Sequence, residues 1–154
     1  FGSDGFPGVK ARLCLAYGPR QGVERFIPFI IMRCLKDESF PTSEGGQLRD
    51  FCFIDDLVNG LLCCAIKKEA IGETFNLASG RAISIREVVT LINSLIGSGK
   101  PNFGEHPYRP GENMALYADI SKAVSLLGWE PEISLEDGLK RTISWYMNQN
   151  EKQF

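Results

Sequence analysis

A mixed α/β domain is what this sequence predicts, and three features predict it. Short runs at 9–16, 51–54 and 72–77 have strand length, and 51–54 is rich in aromatic and β-branched residues. Between them lie longer stretches whose apolar residues recur at helical spacing, as at 24–36, 84–95 and 135–147. Glycines, prolines and capping residues fall at the junctions. With 154 residues, 44% hydrophobic and 23% charged, the chain can bury one real core and is not expected to be disordered.

Taken in order, residues 1–8 place Gly2, Gly5 and Gly8 at G-x-x-G-x-x-G spacing. A pyrophosphate loop needs a strand before it and a helix after it, and Pro7 sits where that helix would propagate, so this stretch is expected to be a flexible glycine-rich leader. Residues 9–16 read as a strand. Residues 24–36 read as a helix apolar around much of its girth, with Pro28 tolerated in its first turn. Phe40 is held extended by Pro41, which makes 40–43 a short extended piece.

The centre of the chain is Gly45-Gly46-Gln47-Leu48-Arg49-Asp50-Phe51-Cys52-Phe53-Ile54-Asp55-Asp56. The glycine pair permits a tight reversal, 51–54 is a buried strand, and Asp55 or Asp56 is expected to cap a helix beginning at Leu57 and running to Lys68 on Leu57, Leu61, Leu62 and Ala65. Arg49 is therefore held at the mouth of a rigid strand, where a guanidinium can grip a phosphate with two parallel hydrogen bonds; the competing reading is a solvated Arg49–Asp50 pair.

Residues 72–80 form a strand leaving into a glycine turn, and Ser84 with Glu87 makes a capping box for a helix on Val88, Leu91, Ile92 and Leu95. Residues 97–101 hold glycines, a serine and a lysine, but they follow a helix and lead into Pro101, so a loop is expected instead of a phosphate site. Pro110 and Gly111 stiffen the loop that presents Arg109. Asp119 is expected to cap a short helix ending at Gly128, and a terminal helix follows over 135–147.

The formal charge of −2 gives no electrostatic footprint for nucleic acid or an anionic membrane. The five cysteines, Cys14, Cys34, Cys52, Cys63 and Cys64, lack C-x-x-C spacing and mostly sit in apolar runs, which suggests reduced thiols in a cytoplasmic protein. The single histidine, His106, has no cysteine or second histidine near it in sequence, so no metal site is expected. No apolar run has the length of a membrane span.

Residues 47–56 resemble Gln-x-Arg-Asp-Phe-x-Phe-Ile-x-Asp, a signature of the extended short-chain dehydrogenases/reductases, the NAD-dependent nucleotide-sugar epimerases and dehydratases. Arg12 with Tyr17-Gly18-Pro19 and Gln21, Gly72-Glu73 with Phe75-Asn76 and Gly80, Arg109-Pro110-Gly111-Glu112, and Leu127-Gly128-Trp129 with Pro131 resemble further family segments, so the resemblance covers residues 9–150. It implies a partial Rossmann-like sheet joined to the small α/β substrate-binding domain of that fold, with 151–154 a tail. It also implies a nucleoside-diphosphate sugar as partner. Arg49 and Arg109 would then form a two-cation clamp on the diphosphate, with Arg25 and Phe26 against the nucleotide and Pro41 and Ser43 beside the base. Leu15 departs from the family, which often has a substrate-holding asparagine there.

Family chemistry uses NAD(P) and a Tyr-x-x-x-Lys pair. Four residues after Tyr17, Tyr108, Tyr117 and Tyr146 stand Gln21, Glu112, Ser121 and Asn150, so no residue here is assigned to catalysis. NAD(P), a cofactor of intact relatives, is not expected to bind this chain, which alone is expected to be inactive. The alternative is a non-catalytic interaction module, a homodimer or swapped dimer, built on the unpaired edge of strand 9–16.

Overall fold

The computed structural model describes residues 6–150; the tail 151–154 and the first five residues of the leader, with Gly2 and Gly5, lie outside the described residues. The expected strand 9–16 is two consecutive strands, β1 (Lys10–Leu13) and β2 (Leu15–Tyr17), with different partners. β1 runs parallel to β6 (Thr74–Leu77), and β2 runs parallel to β5 (Phe51–Phe53). Cys14 makes the handover: its N–H donates to the Leu77 carbonyl at 3.1 Å, while that of Leu15 donates to the Asp50 carbonyl at 3.2 Å. The partner changes because β6 ends there and turns away through Gly80, which takes the left-handed φ of +70°.

β5 divides the interior. Its three side chains are buried and alternate in direction as strand geometry requires. Phe51 and Phe53 enter a core with Tyr17, Ile30, Ile31, Phe40, Val88, Ile92 and Leu139, while Cys52 enters a second core with Leu57, Phe75, Leu77, Leu127 and Trp129. The first core is roofed by helices α1 (Phe26–Leu35), α3 (Ile85–Ile96) and α4 (Leu135–Asn150). Burial in the second pushes the Cys52 thiol up to about 12, helped by the Asp56 and Asp50 carboxylates.

α2 (Ile54–Ile66) departs from expectation in two ways. It begins at Ile54, three residues early, and neither aspartate caps it. Asp55 is exposed, whereas Asp56 is buried and its carboxylate accepts the backbone N–H groups of Glu132 at 3.2 Å and Ile133 at 3.0 Å. Satisfying a buried carboxylate on a distant loop is worth more than capping an exposed helix end. The buried face is Leu57, Gly60 and Cys64, because Gly60 lets Trp129 and Leu77 press against the helix. Leu61 and Leu62 are exposed.

β3 (Ser39–Thr42) pairs in parallel with β8 (Lys100–Phe103), a strand where a loop was expected. Ser98 Oγ donates to the Cys34 carbonyl at 2.7 Å and Gly99 N–H to Asp37 Oδ1 at 2.9 Å, and these two bonds steer the chain alongside β3. A small sheet joins β4 (Leu48–Arg49) to β7 (Ile83–Ser84), antiparallel, and to β9 (Ala115–Leu116), parallel. The Ser84/Glu87 capping box forms as expected: Glu87 N–H donates to Ser84 Oγ at 3.1 Å, and Ser84 N–H to Glu87 Oε2 at 2.9 Å. Asp119 accepts the Ser121 N–H at 2.8 Å ahead of a short helical segment whose last turn is the π-helical stretch Ala123–Leu127.

Gly138, in the first turn of α4, lies against Tyr17 and Phe53; a Cβ there would meet the Tyr17 hydroxyl and sit 2.8 Å from Phe53 Cδ2. Gly138→Ala should therefore destabilise the chain by about 1–3 kcal/mol through overpacking, despite alanine's better helix propensity. Urea denaturation reads this directly, and an unchanged or raised midpoint would contradict the packing described.

Candidate functional site

A cavity of about 1060 Å³ opens between the end of β2, the start of α1, the β3–β4 connection and the 106–112 loop. Arg25, Phe26, Pro41, Ser43, Arg49 and Arg109, the six residues named from sequence, all line it, as does Leu15. They come from segments far apart in the chain.

The positions differ in how firmly they are held. Arg49 sits on β4, and its neighbour Asp50 is buried, with its carboxylate accepting the N–H of Ser79 at 2.7 Å and of Gly80 at 3.1 Å. The solvated Arg49–Asp50 pair does not form: Arg49 Nη1 donates to the Leu48 carbonyl at 2.8 Å and Nη2 pairs with Glu112 Oε1, while Asp50 serves the 79–80 turn. Arg109 is exposed and makes no ion pair among the described residues. Its loop is nevertheless anchored. Gly46 N–H donates to Tyr108 Oη at 3.0 Å, His106 N–H to the Thr42 carbonyl at 3.0 Å, and Glu112 N–H to the Arg109 carbonyl at 3.0 Å, with Gly111 supplying the positive φ of +74°.

Arg25 occupies the extended residue before α1 and is exposed, 3.8 Å from Glu24, so its guanidinium is less confined than that of Arg49. Phe26 is half-buried and stacks on Phe51 with ring centroids 5.9 Å apart. It is thus a core contact on one face and a cavity wall on another. Pro41 is exposed. Ser43 Oγ accepts from Gly45 N–H at 3.3 Å and lies 3.4 Å from Gln47 Nε2.

Sequence reasoning assigned no role to Glu112, Tyr108 or Gln47, which also line the cavity. Glu112 and Tyr108 belong to the motif that carries Arg109, but their partners, Arg49 and Gly46, are distant in sequence. Gln47 Oε1 is buried without a hydrogen-bond partner.

Tyr17 lines the cavity too. Burial pushes its hydroxyl well above the ordinary phenol range, with Cys52, Asp56 and Asp137 adding to the effect, and it donates to the Leu135 carbonyl at 3.2 Å. Among the described residues no group of three His, Cys, Asp or Glu side chains could hold a metal, and no helix is long and apolar enough to cross a membrane. The lining brings together guanidinium groups, those of Arg25, Arg49 and Arg109, and apolar side chains, among them Phe26 and Pro41.

Residues 2–142 match the family model described as GDP-mannose 4,6 dehydratase. A dTDP-glucose 4,6-dehydratase of Xanthomonas campestris pv. campestris is 31% identical over 153 residues, covering 93% of this chain and 43% of that protein. Among solved structures, an epimerase from Methanothermobacter thermautotrophicus matches with a TM-score of 0.87 at 31% identity, covering 95% of this chain and 45% of the other. The UDP-glucuronic acid 4-epimerase of Bacillus cereus, in complex with UDP-glucuronic acid and NAD, matches with a TM-score of 0.84 at 33% identity, covering 93% and 46%. The chain spans about half the length of the curated relatives it matches.

The Tyr108 tether can be tested without ligand. Tyr108→Phe removes the acceptor for Gly46 N–H, and amide exchange at Gly46 should quicken about five- to tenfold, the size of one modest hydrogen bond. Unchanged exchange would show that the two loops are held by other contacts.

Proposed function

Since the chain belongs to the GDP-mannose 4,6-dehydratase family of the extended short-chain dehydrogenases/reductases, the nucleotide-sugar epimerases and dehydratases, we propose that its cavity holds a nucleoside-diphosphate sugar. Its mixed α/β architecture matches solved epimerases of that fold as a partial Rossmann-like fragment, and in this reading residues 9–150 are the nucleotide-sugar-binding part. One observation carries the reading: six residues from four separate segments, picked by motif, surround one cavity. Arg49 and Arg109 take the diphosphate, each able to offer paired N–H donors. Arg25 and Phe26 flank the nucleotide, and Pro41 and Ser43 lie beside the base.

The intact activity is a hydride-transfer epimerisation, dehydration or 4-keto reduction of the sugar with NAD(P); related structures are in complex with NAD. The 154-residue chain alone carries no Tyr-x-x-x-Lys pair, and burial raises the Tyr17 hydroxyl above the ordinary phenol range. As that chain it binds the sugar nucleotide without turning it over and does not bind NAD(P). The five unpaired cysteines accord with a cytoplasmic location.

A second reading rests on exposed apolar side chains. Leu13 on β1 and Leu62 and Ile66 on α2 are exposed, which would support self-association as a homodimer or swapped dimer. Concentration-dependent mass in light scattering, with no response to any nucleotide, would favour it.

For the first reading, UDP- or dTDP-sugars at a hundredfold excess over Kd should raise Tm by about 5–10 °C, while NAD leaves it unchanged. Arg109→Ala should abolish most of that shift at nearly unchanged basal Tm, whereas Arg49→Ala should lower the basal Tm as well, because Glu112 loses its partner. Equal shifts with NAD and with sugar nucleotides, or none with either, would refute the reading.

A further inference from the structure

The terminal helix α4 holds one turn of chain at the cavity edge from both of its ends. At its start the Leu135 carbonyl accepts the Tyr17 hydroxyl at 3.2 Å, and Gly138 lies against Tyr17. About 16 Å further along the helix, Tyr146 donates its hydroxyl to the Gln21 carbonyl. Tyr146 is only 4% exposed and belongs to the first core, so that hydroxyl is delivered from a fixed ring. Tyr17, Gln21 and Arg25 all line the cavity.

The turn so held runs from β2 to α1, and its residues 22–25 are exposed. Within it Arg20 takes a φ of +65°, a left-handed conformation that a residue other than glycine keeps only where its surroundings over-determine it. Two bonds at the next residue do so. Gln21 Nε2 donates to the Ala16 carbonyl at 2.9 Å, which ties the turn to β2, and the Tyr146 hydroxyl ties it to α4. Arg25 N–H then donates to the Gly22 carbonyl at 3.0 Å, directly after the pinned residue, while the Arg25 carbonyl accepts Phe29 N–H at 2.8 Å. The Arg25 backbone is therefore set from one side by α1 and from the other by the turn that Tyr146 pins.

We infer that Tyr146 is a positioning residue for Arg25: its bond to the Gln21 carbonyl keeps the 21–25 turn in the one arrangement that presents Arg25 to the ligand. The inference rests on the nucleotide-sugar reading of the cavity, in which Arg25 flanks the nucleotide. The Arg25 side chain is exposed and must be ordered by the ligand, so the backbone beneath it is the part that can be preset. A turn released from α4 would have to be ordered at the moment of binding, at the expense of affinity.

The test uses the 154-residue chain with UDP-glucose as probe. Tyr146→Phe keeps the ring and removes the hydroxyl, and should raise the Kd read by calorimetry about fivefold, the scale of one modest hydrogen bond. The Arg25 amide should exchange about five- to tenfold faster in the same variant without ligand. In an Arg25→Ala background, Tyr146→Phe should change Kd by less than about twofold, because the residue it positions is gone. A merely structural role would lower Tm and leave Kd unmoved, or weaken binding equally in both backgrounds; either result overturns the inference while leaving the cavity reading in place. Should the phenylalanine variant fail to fold, a free wild type whose Arg25 amide exchanges at the rate of an unstructured chain overturns it equally. A wild type that does not bind UDP-glucose refutes the cavity reading itself, and the inference with it.

Discussion

Burial of Phe51, Cys52 and Phe53 on both sides of one short strand is the constraint from which the site follows. A strand with Phe51 and Phe53 in one core and Cys52 in the other cannot shift register by a residue without exchanging aromatic rings for a thiol. Asp50 at its head is fixed as tightly, because a buried carboxylate must keep its two backbone donors. Arg49 directly precedes Asp50 and inherits that rigidity. An arginine in this setting loses little freedom when it engages an anion, which is what separates a binding guanidinium from a decorative one.

The other side of the cavity is assembled differently. The 106–112 loop has no helix and little strand to hold it. It is tied at three points: to β3 through His106, to the glycine turn through Tyr108, and to β4 through Glu112. Arg109 is left as the exposed charge on an anchored backbone. One cation is thus preset and the other is mobile at its tip. Under the proposed reading, a ligand would enter past Arg109 and meet the donors of Arg49 inside.

What could be read from the sequence was what local chemistry decides. The Ser84/Glu87 box and the helices themselves each depend on residues within a few positions of one another. What could not be read depends on distant partners. Asp56 looked like a helix cap because its true donors, Glu132 and Ile133, lie 76 and 77 residues further on. β8 was hidden because Lys100 to Phe103 becomes a strand only by pairing with β3, and Pro101 argues against it locally. α2 is apolar on two sides, and periodicity alone could not say that Gly60, the smallest residue, marks the buried one. Glu112 was visible in its motif, but its partner is 63 residues away.

The central claim is that Arg49 and Arg109 converge on one diphosphate. A crystal structure of the chain soaked with UDP-glucose tests it most directly. The account predicts phosphate oxygens within hydrogen-bond distance of both guanidinium groups, with the base toward Phe26 and Pro41. A diphosphate bound elsewhere, or one that touches a single arginine while the other points away from the cavity, would contradict it.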